Sequence, residues 1–470
     1  MKRAKVKLDG RMGRIVVNIL VPFFVVVFSS LRLGGAEPLC PAASRQVPCL
    51  TLRDAFERGK QYAGQIQSAN LVATLAHEDT AQTRAGLLPT VNMLNQFIYT
   101  EGNGTPSGVF VANDGVHVYN EQAVLHQDLF NVVRRADLRR AKAAEAVAQA
   151  KRDVAARGLN TTIVQDYYAV AVAQRKLESA RSSLRDAGDF LDITRKQQRG
   201  GEAAGADTAK AQLQEQQRAR ELQDAGMAVE KAKVALAVLI FPDITRDFAV
   251  EDDLGRTPPL DSLGLIQEAA ANSSPDVKAA LATVSQSHNE TAVARYAYIP
   301  SLGVDFFYGI NANQFAFNSA RAEDTGRSTL PHYEVAGRRN LGYSAAITLN
   351  IPIWNWGATQ SKVKQAVLRE AQAKVDLGVT RKQLRADVQS AYLEAQTAER
   401  QLSSLANSVD MARDSLRLTT LKYKAGEATV LEVVDAQTTA VTARNAYADG
   451  LLRYRLAVAA IQALTGQLAK

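Results

Sequence analysis

The chain has 470 residues, 46% of them apolar, and a formal net charge of +8; this suffices for a large buried core in two or three ordinary domains. The charge excludes more by its position than by its size. Lys2, Arg3, Lys5, Lys7, Arg11, Arg14 and Arg32 against Asp9 leave residues 37–470 at only +2, so no basic face for nucleic acid is expected.

Those first residues form a basic stretch, the apolar run Ile15–Phe28 and a small-residue site at Gly34-Gly35-Ala36, the pattern of a secretory signal peptide over residues 1–36. The rival is an uncleaved anchor helix, but Asn18 and Pro22 interrupt a run shorter than the roughly 20 residues a span needs. Segment 37–50 holds the only two cysteines, Cys40 and Cys49. In an oxidising compartment they read as a small disulfide staple. A lipid-modified Cys40 is the alternative, approached awkwardly by Glu37-Pro38-Leu39.

From residue 51 the chain reads as an internal two-fold sequence repeat, 51–244 and 263–470, joined by a linker at 245–262. Arg84 and Pro89 recur as Arg295 and Pro300, 211 positions on, and Leu129 to Asn131 recur as Ile353 to Asn355, 224 on. Gly201-Glu202-Ala203 then recurs as Gly426-Glu427-Ala428, 225 on.

Each half opens with helical sequence and then changes period. The first half predicts strands at about 90–100 and 116–130. The second predicts them at about 301–311, where Leu302, Val304, Phe306, Tyr308 and Ile310 alternate with small or polar residues, and at about 341–353, with the longest alternation. Polar loops at about 101–115 and 312–340 separate the members of each pair. Four strands of a soluble sheet would fit the alternation; strand lengths near the 9–11 residues of a membrane strand, and secretion, favour a bilayer barrel, which four strands alone cannot close.

Long helices follow. No proline occurs between Asn131 and Phe241 or after Pro352, and a helix from Asn131 to the first Gly-Gly would run about 100 Å. A heptad-like seam, Ala173, Leu177, Ala180, Leu184, Ala187, Leu191 and Thr194, recurs at Leu402, Leu405, Val409, Ala412, Leu416 and Thr419. Its period predicts left-handed coiled-coil packing. Each Gly-Glu-Ala step then stops a helix and turns the chain back, so the tips of two helical hairpins fall near 200–207 and 425–432.

On the duplicated plan, the prolines entering each first strand (Pro89, Pro300) and the tip residues Tyr423, Gly426, Glu432 and Asp435, the sequence resembles the TolC family of outer-membrane efflux and export proteins across nearly all of the mature chain. The resemblance implies all-α long coiled-coil hairpins plus a four-strand contribution to a shared transmembrane β-barrel, in a homotrimer that forms a channel tunnel. It implies a periplasmic adaptor protein and an inner-membrane pump as partners, outer-membrane lipid around the barrel, no nucleic acid, no cofactor, no metal and no catalytic residue. Gly200, Gly201, Glu202, Ala425, Gly426 and Glu427 would contact the adaptor. Glu432 and Asp435 would line the pore constriction as acidic rings, and Asp207 and Tyr423 would belong to the gate. The family's basic residue two beyond the second-tip glycine is Ala428 here, which removes one partner of the family's salt-bridge latch.

Plainer roles stand beside these. Thr429 and Glu432 fit a capping box, Asp435 a solvated helix charge, Asp207 a helix N-terminus, and Tyr423 a packed seam residue. Trp354 and Trp356 suit either a membrane interface or a core. His77, His117, His126, His288 and His332 are scattered, and His77-Glu78 lacks the second histidine of a zinc-protease helix, where Ala81 stands; no phosphate loop or nucleophile elbow occurs. The chain is expected not to be an enzyme but an outer-membrane exit duct with a large periplasmic part, serving efflux or, alternatively, type I protein secretion. A secreted coiled-coil structural protein is the remaining class, and it would not need the alternation at 341–353.

Overall fold

The computed structural model describes residues 48–100, 116–313 and 341–468. The expected signal peptide, Cys40 and most of both polar loops lie outside these residues; Cys49, within them, is disulfide-bonded.

After a short strand β1 (Cys49–Leu50) come α1 (Leu52–Tyr62), α2 (Gly64–Ala85), β2 (Thr90–Thr100), β3 (Val116–Phe130), α3 (Val132–Gly200) and α4 (Gly205–Ile240). A second short strand, β4 (Ala249–Val250), leads to α5 (Leu263–Ser273), α6 (Pro275–Tyr296), β5 (Ser301–Asn313), β6 (Leu341–Asn350), α7 (Ala358–Lys424) and α8 (Val430–Leu464). The order helix, helix, strand, strand, long helix, shorter helix thus occurs twice.

The junctions explain why elements change where they do. Helices α2 and α6 close with matching backbone bonds, Leu87 and Leu88 donating to Arg84 and Ala85, Tyr298 and Ile299 to Arg295 and Tyr296. Pro89 and Pro300 follow, and a proline can neither donate to a helix nor continue it. On the other side of each strand pair an asparagine supports the start of the long helix: Asn131, the N-cap of the first, accepts at Oδ1 from Arg134 N at 3.1 Å, and Asn355, two residues before the Gly357 cap of the second, accepts at Oδ1 from Thr359 N at 3.4 Å.

Strands β2, β3, β5 and β6 form one antiparallel sheet in that order. The expected strand at 341–353 is shorter in the structure, ending at Asn350, because Pro352 has no N–H for the ladder. In β3 a bulge between Asp128 and Phe130 shifts the register so that Phe130 lies opposite Leu302. The register puts Val91, Met93, Leu125, Phe306, Tyr308, Tyr343, Ile347 and Leu349 on one face. Asn92, Gln96, Gln122, His126, Asp305, Ser344 and Thr348 share the other. On it His126 Nδ1 meets Asp305 Oδ1 at 2.6 Å, and Asn120 donates to Gln96 at 3.3 Å.

Below the sheet, α3 has 69 residues and α7 has 67, each about 100 Å long at about 1.5 Å per residue. The returning helices α4 and α8 have 36 and 35, so each covers only about half of its partner. Helices α2 and α6, both of 22 residues, pack along the sheet-side half of α3 and α7. The central joint is the main core, where Tyr167, Leu159, Ile163, Phe248, Val250 and Leu254 are almost fully buried. There Tyr167 Oη donates to Leu50 O (3.1 Å) and Glu251 O (2.9 Å), tying β1 and β4 to α3, while Arg175 grips Asp252 with two bonds of 2.6 and 3.0 Å. Burial pushes the Tyr167 hydroxyl far above its ordinary pKa, so it stays a donor. Among the described residues, no helix is long and apolar enough to cross a membrane.

The expected seam is only partly the buried one. Ala187, Leu191 and Thr194 are buried, but Ala173, Leu177, Ala180 and Leu184 are half-buried, and Ser179 and Ser183 are buried instead. Helix α3 touches α4 on one side and α8 on another, and small residues permit both close approaches.

Candidate functional site at the hairpin tips

Both tips are built by the same backbone device. At the first, Gly201 N–H donates to Gln198 O (3.1 Å) and Glu202 N–H to Gln197 O (2.9 Å); at the second, Gly426 N–H donates to Tyr423 O (3.1 Å) and Glu427 N–H to Lys422 O (2.9 Å). These are paired six-to-one and five-to-two closures around a left-handed residue. Gly201 at φ 81° and Gly426 at φ 78° supply it, a region costly for any side chain with a Cβ. Gly200, Gly201, Glu202, Ala425, Gly426 and Glu427 are all exposed at these ends.

Tyr423 is the anchor between the two hairpins of the chain. It is 6% exposed, sits among Phe190, Leu191, Ala211, Val430 and Val433, and meets the Phe190 ring edge-on at 5.0 Å between centroids. Its hydroxyl donates to Thr194 Oγ1 at 3.3 Å, and its carbonyl accepts from Gln197 Nε2 at 3.2 Å. Packing, one of the two roles the sequence leaves open, is therefore observed, and the hydroxyl partner is Thr194. Asp207 lies in the first turn of α4, partly exposed, where a carboxylate favours the helix end. Ala428, at the position that lacks the basic residue, is partly buried against the same cluster.

Glu432 does form the capping box: Thr429 N donates to Glu432 Oε2 at 2.8 Å and Glu432 N to Thr429 Oγ1 at 3.4 Å. Its side chain is nonetheless exposed, as is Asp435 three residues on, so both carboxylates lie near one face of α8.

Farther from the tip, polar groups missed by sequence reasoning tie α3 and α4 to α8. Arg218, 4% exposed, pairs with Glu221 at 2.7 Å and donates to Thr438 Oγ1 at 2.8 Å. Gln437 Nε2 donates to Asp186 O at 3.2 Å, Arg444 reaches the Asp186 carboxylate at 3.7 Å, and Lys176 pairs with Asp449 at 2.7 Å. Burial pushes the Asp186 carboxyl up, against the opposing pull of Arg444. A buried arginine inside a charged helical run carries no periodic signal, which is why Arg218 was not legible. Among the described residues no group of three or more His, Cys, Asp or Glu is placed to hold a metal ion.

The arrangement of a two-faced four-strand sheet over long helical hairpins has known counterparts. Residues 265–467 match the family described as outer membrane efflux protein. "Outer membrane protein TolC" of Vibrio cholerae is 21% identical over 455 residues, covering 96% of both chains. "Pyoverdine export outer membrane protein OpmQ" of Pseudomonas putida is 27% identical over 316 residues, 64% of this chain and 61% of that one. The crystal structure of VceC, an outer membrane protein of Vibrio cholerae, superposes with a TM-score of 0.73 at 17% identity, over 88% of this chain and 96% of that one. The second half of the chain thus resembles the outer membrane efflux proteins, and the chain shares its fold with solved outer-membrane channels.

Proposed function

We propose that three copies of this chain assemble into one passive exit duct, with the sheets closing a shared 12-strand barrel and the hairpins forming a periplasmic tunnel gated at the tips. The single observation that carries this reading is the sheet, with most of its large apolar residues on one face and most of its polar ones on the other, leading through Asn131 and Asn355 into helices about 100 Å long. In one chain β2 and β6 are the outer strands of the sheet. Inside a bilayer such strand edges must be paired, and about eight strands are the fewest that close, so several copies are needed.

The tips favour an adaptor as the docking partner, because their exposed backbone turns and Glu202 and Glu427 project from rigid hairpins. Glu432 and Asp435 would supply six carboxylates to one aqueous constriction in a trimer, attracting cations and repelling one another. Tyr423 acts one layer away, holding the second hairpin against the first through its bonds to Thr194 and Gln197. The capping bond of Glu432 is compatible with this, since only one of its oxygens is engaged.

Single-channel conductance of the mature protein in planar bilayers tests the reading, beside a Glu432→Ala, Asp435→Ala variant. A small cation-favouring conductance that rises or loses selectivity in the variant supports the acidic constriction. Unchanged conductance leaves Glu432 as a helix cap alone, and no conductance from protein verified in the bilayer sinks the open-duct reading.

A further inference from the structure

We propose that the base of the sheet carries a collar that binds anionic phospholipid headgroups in the leaflet facing the helices; the proposal rests on the outer-membrane duct reading above. The four helix-to-sheet junctions share one pattern. Each exposes a large apolar residue beside the sheet and an exposed cation roughly a turn farther along the helix. At the end of α2 these are Leu88 and Arg84, and at the end of α6 they are Tyr298 and Arg295. At the start of α3 they are Phe130 and Arg135, and at the start of α7 they are Trp354 and Trp356 followed by Lys362.

The apolar layer continues the apolar sheet face. Leu349 leads into Ile351 and Ile353, both exposed, and then into Trp354 and Trp356, 75% and 89% exposed with rings 5.8 Å apart. Trp356 takes a left-handed backbone, φ 54°, just before Gly357 at φ 81°, a conformation rare for a bulky side chain. It leaves the indole outside the packed helices rather than in a core. Indoles and tyrosines at the edge of an apolar band, with long cationic side chains just beyond, are the arrangement that an apolar-to-headgroup boundary selects.

The cations point to a charged partner. Arg135 and Lys362 stand near the starts of α3 and α7, where a positive charge opposes the helix dipole, so helix stability does not account for them. Two carboxylates at this level are engaged by other arginines: Asp128 with Arg134 at 2.6 Å and Asp137 with Arg140 at 3.2 Å. Arg84, Arg135, Arg295 and Lys362 stand exposed beside large apolar and aromatic side chains, a surface complementary to phosphate-bearing lipid. A zwitterionic headgroup would leave that charge unmatched.

The test reconstitutes the full mature protein in vesicles of equal parts phosphatidylglycerol and phosphatidylcholine and measures, by mass spectrometry, the lipids retained after detergent extraction. The expected result is enrichment of phosphatidylglycerol by about fivefold, falling as salt is raised and lost in an Arg84→Gln, Arg135→Gln, Arg295→Gln, Lys362→Gln variant of unchanged conductance. Equal retention of both lipids by a conducting protein overturns the collar and leaves the duct standing. Enrichment that survives both salt and the four substitutions also overturns it, as does inorganic phosphate competing away the lipid at matched phosphate concentration, which would mark a free-anion site. Failure to insert and conduct overturns the duct reading and the collar together.

Discussion

Truncating Tyr423 to alanine removes a ring that is 6% exposed between two hairpins and packed on Phe190, so the cavity should cost about 3–5 kcal/mol. Tyr423→Phe keeps the ring and loses only the bond to Thr194, for about 0.5–1.5 kcal/mol. Urea denaturation followed by helix circular dichroism separates the two; equal losses would mean the hydroxyl, not the packing, holds the tip. The turn glycines make a second residue-scale prediction. An added Cβ at Gly201 or Gly426 meets nothing within 4 Å, so Gly→Ala at either position should cost only the left-handed backbone penalty, about 1–2 kcal/mol, and by similar amounts. A much larger loss at one tip would show that its turn is packed against something in the assembly.

At the scale of elements, α2 and α6 are fastened to the long helices by a matched pair of clasps. His77 Nδ1 lies 2.9 Å from Glu145 Oε1, and His288 Nδ1 lies 3.4 Å from Glu370 Oε1. The hydrogen bond to Glu145 raises the His77 pKa, and the same bond lowers that of Glu145. Lys374 foremost, with Thr291 and His288, holds Glu370 down to about 2. Because the folded pKa of His77 is raised, its contribution is complete below the ordinary histidine pKa of about 6.5 and is lost as pH rises through the folded value. The carboxylates, being lowered, contribute above their ordinary pKa of about 4.3 and lose it as pH falls through their folded values. The His77–Glu145 clasp is therefore tightest from about pH 4.5 to 6.5, and His77→Gln should flatten the fall in denaturation midpoint from pH 6.5 to 8; a wild-type midpoint that rises over that range would contradict the sign. The partners could not be read in advance. His77 to His288 is 211 positions and Glu145 to Glu370 is 225, the offsets of the two halves, yet pairing them requires knowing that α2 packs on α3 and α6 on α7. What was legible was local: alternation fixed the strands to within a few residues, missing only where Pro352 stops β6, and the Gly-Glu-Ala steps located both tips. Ser179, Ser183 and Arg218, buried at helix contacts, escaped because neither small polar residues nor a lone cation registers in apolar periodicity.

At the scale of the whole molecule, the two faces of the sheet decide whether the chain is a membrane duct at all, and adjacent residues on β6 test them. Ile347 and Thr348 are both exposed in the single chain, and the period of two sends them to opposite faces. If the apolar face meets lipid, Ile347→Arg places a guanidinium in hydrocarbon, costing about 2–4 kcal/mol per chain at the bilayer midplane and three times over in a trimer. Folded, heat-resistant trimer in the outer membrane should fall sharply. Thr348→Arg would face water in the lumen, leave assembly intact, and shift conductance away from cations, since a ring of three positive charges repels them. A soluble sheet predicts the reverse insensitivity: neither arginine would meet hydrocarbon, and both variants would accumulate alike. Equal recovery of the two trimers would therefore remove the barrel from the reading, whereas loss confined to Ile347→Arg would fix which face the bilayer covers.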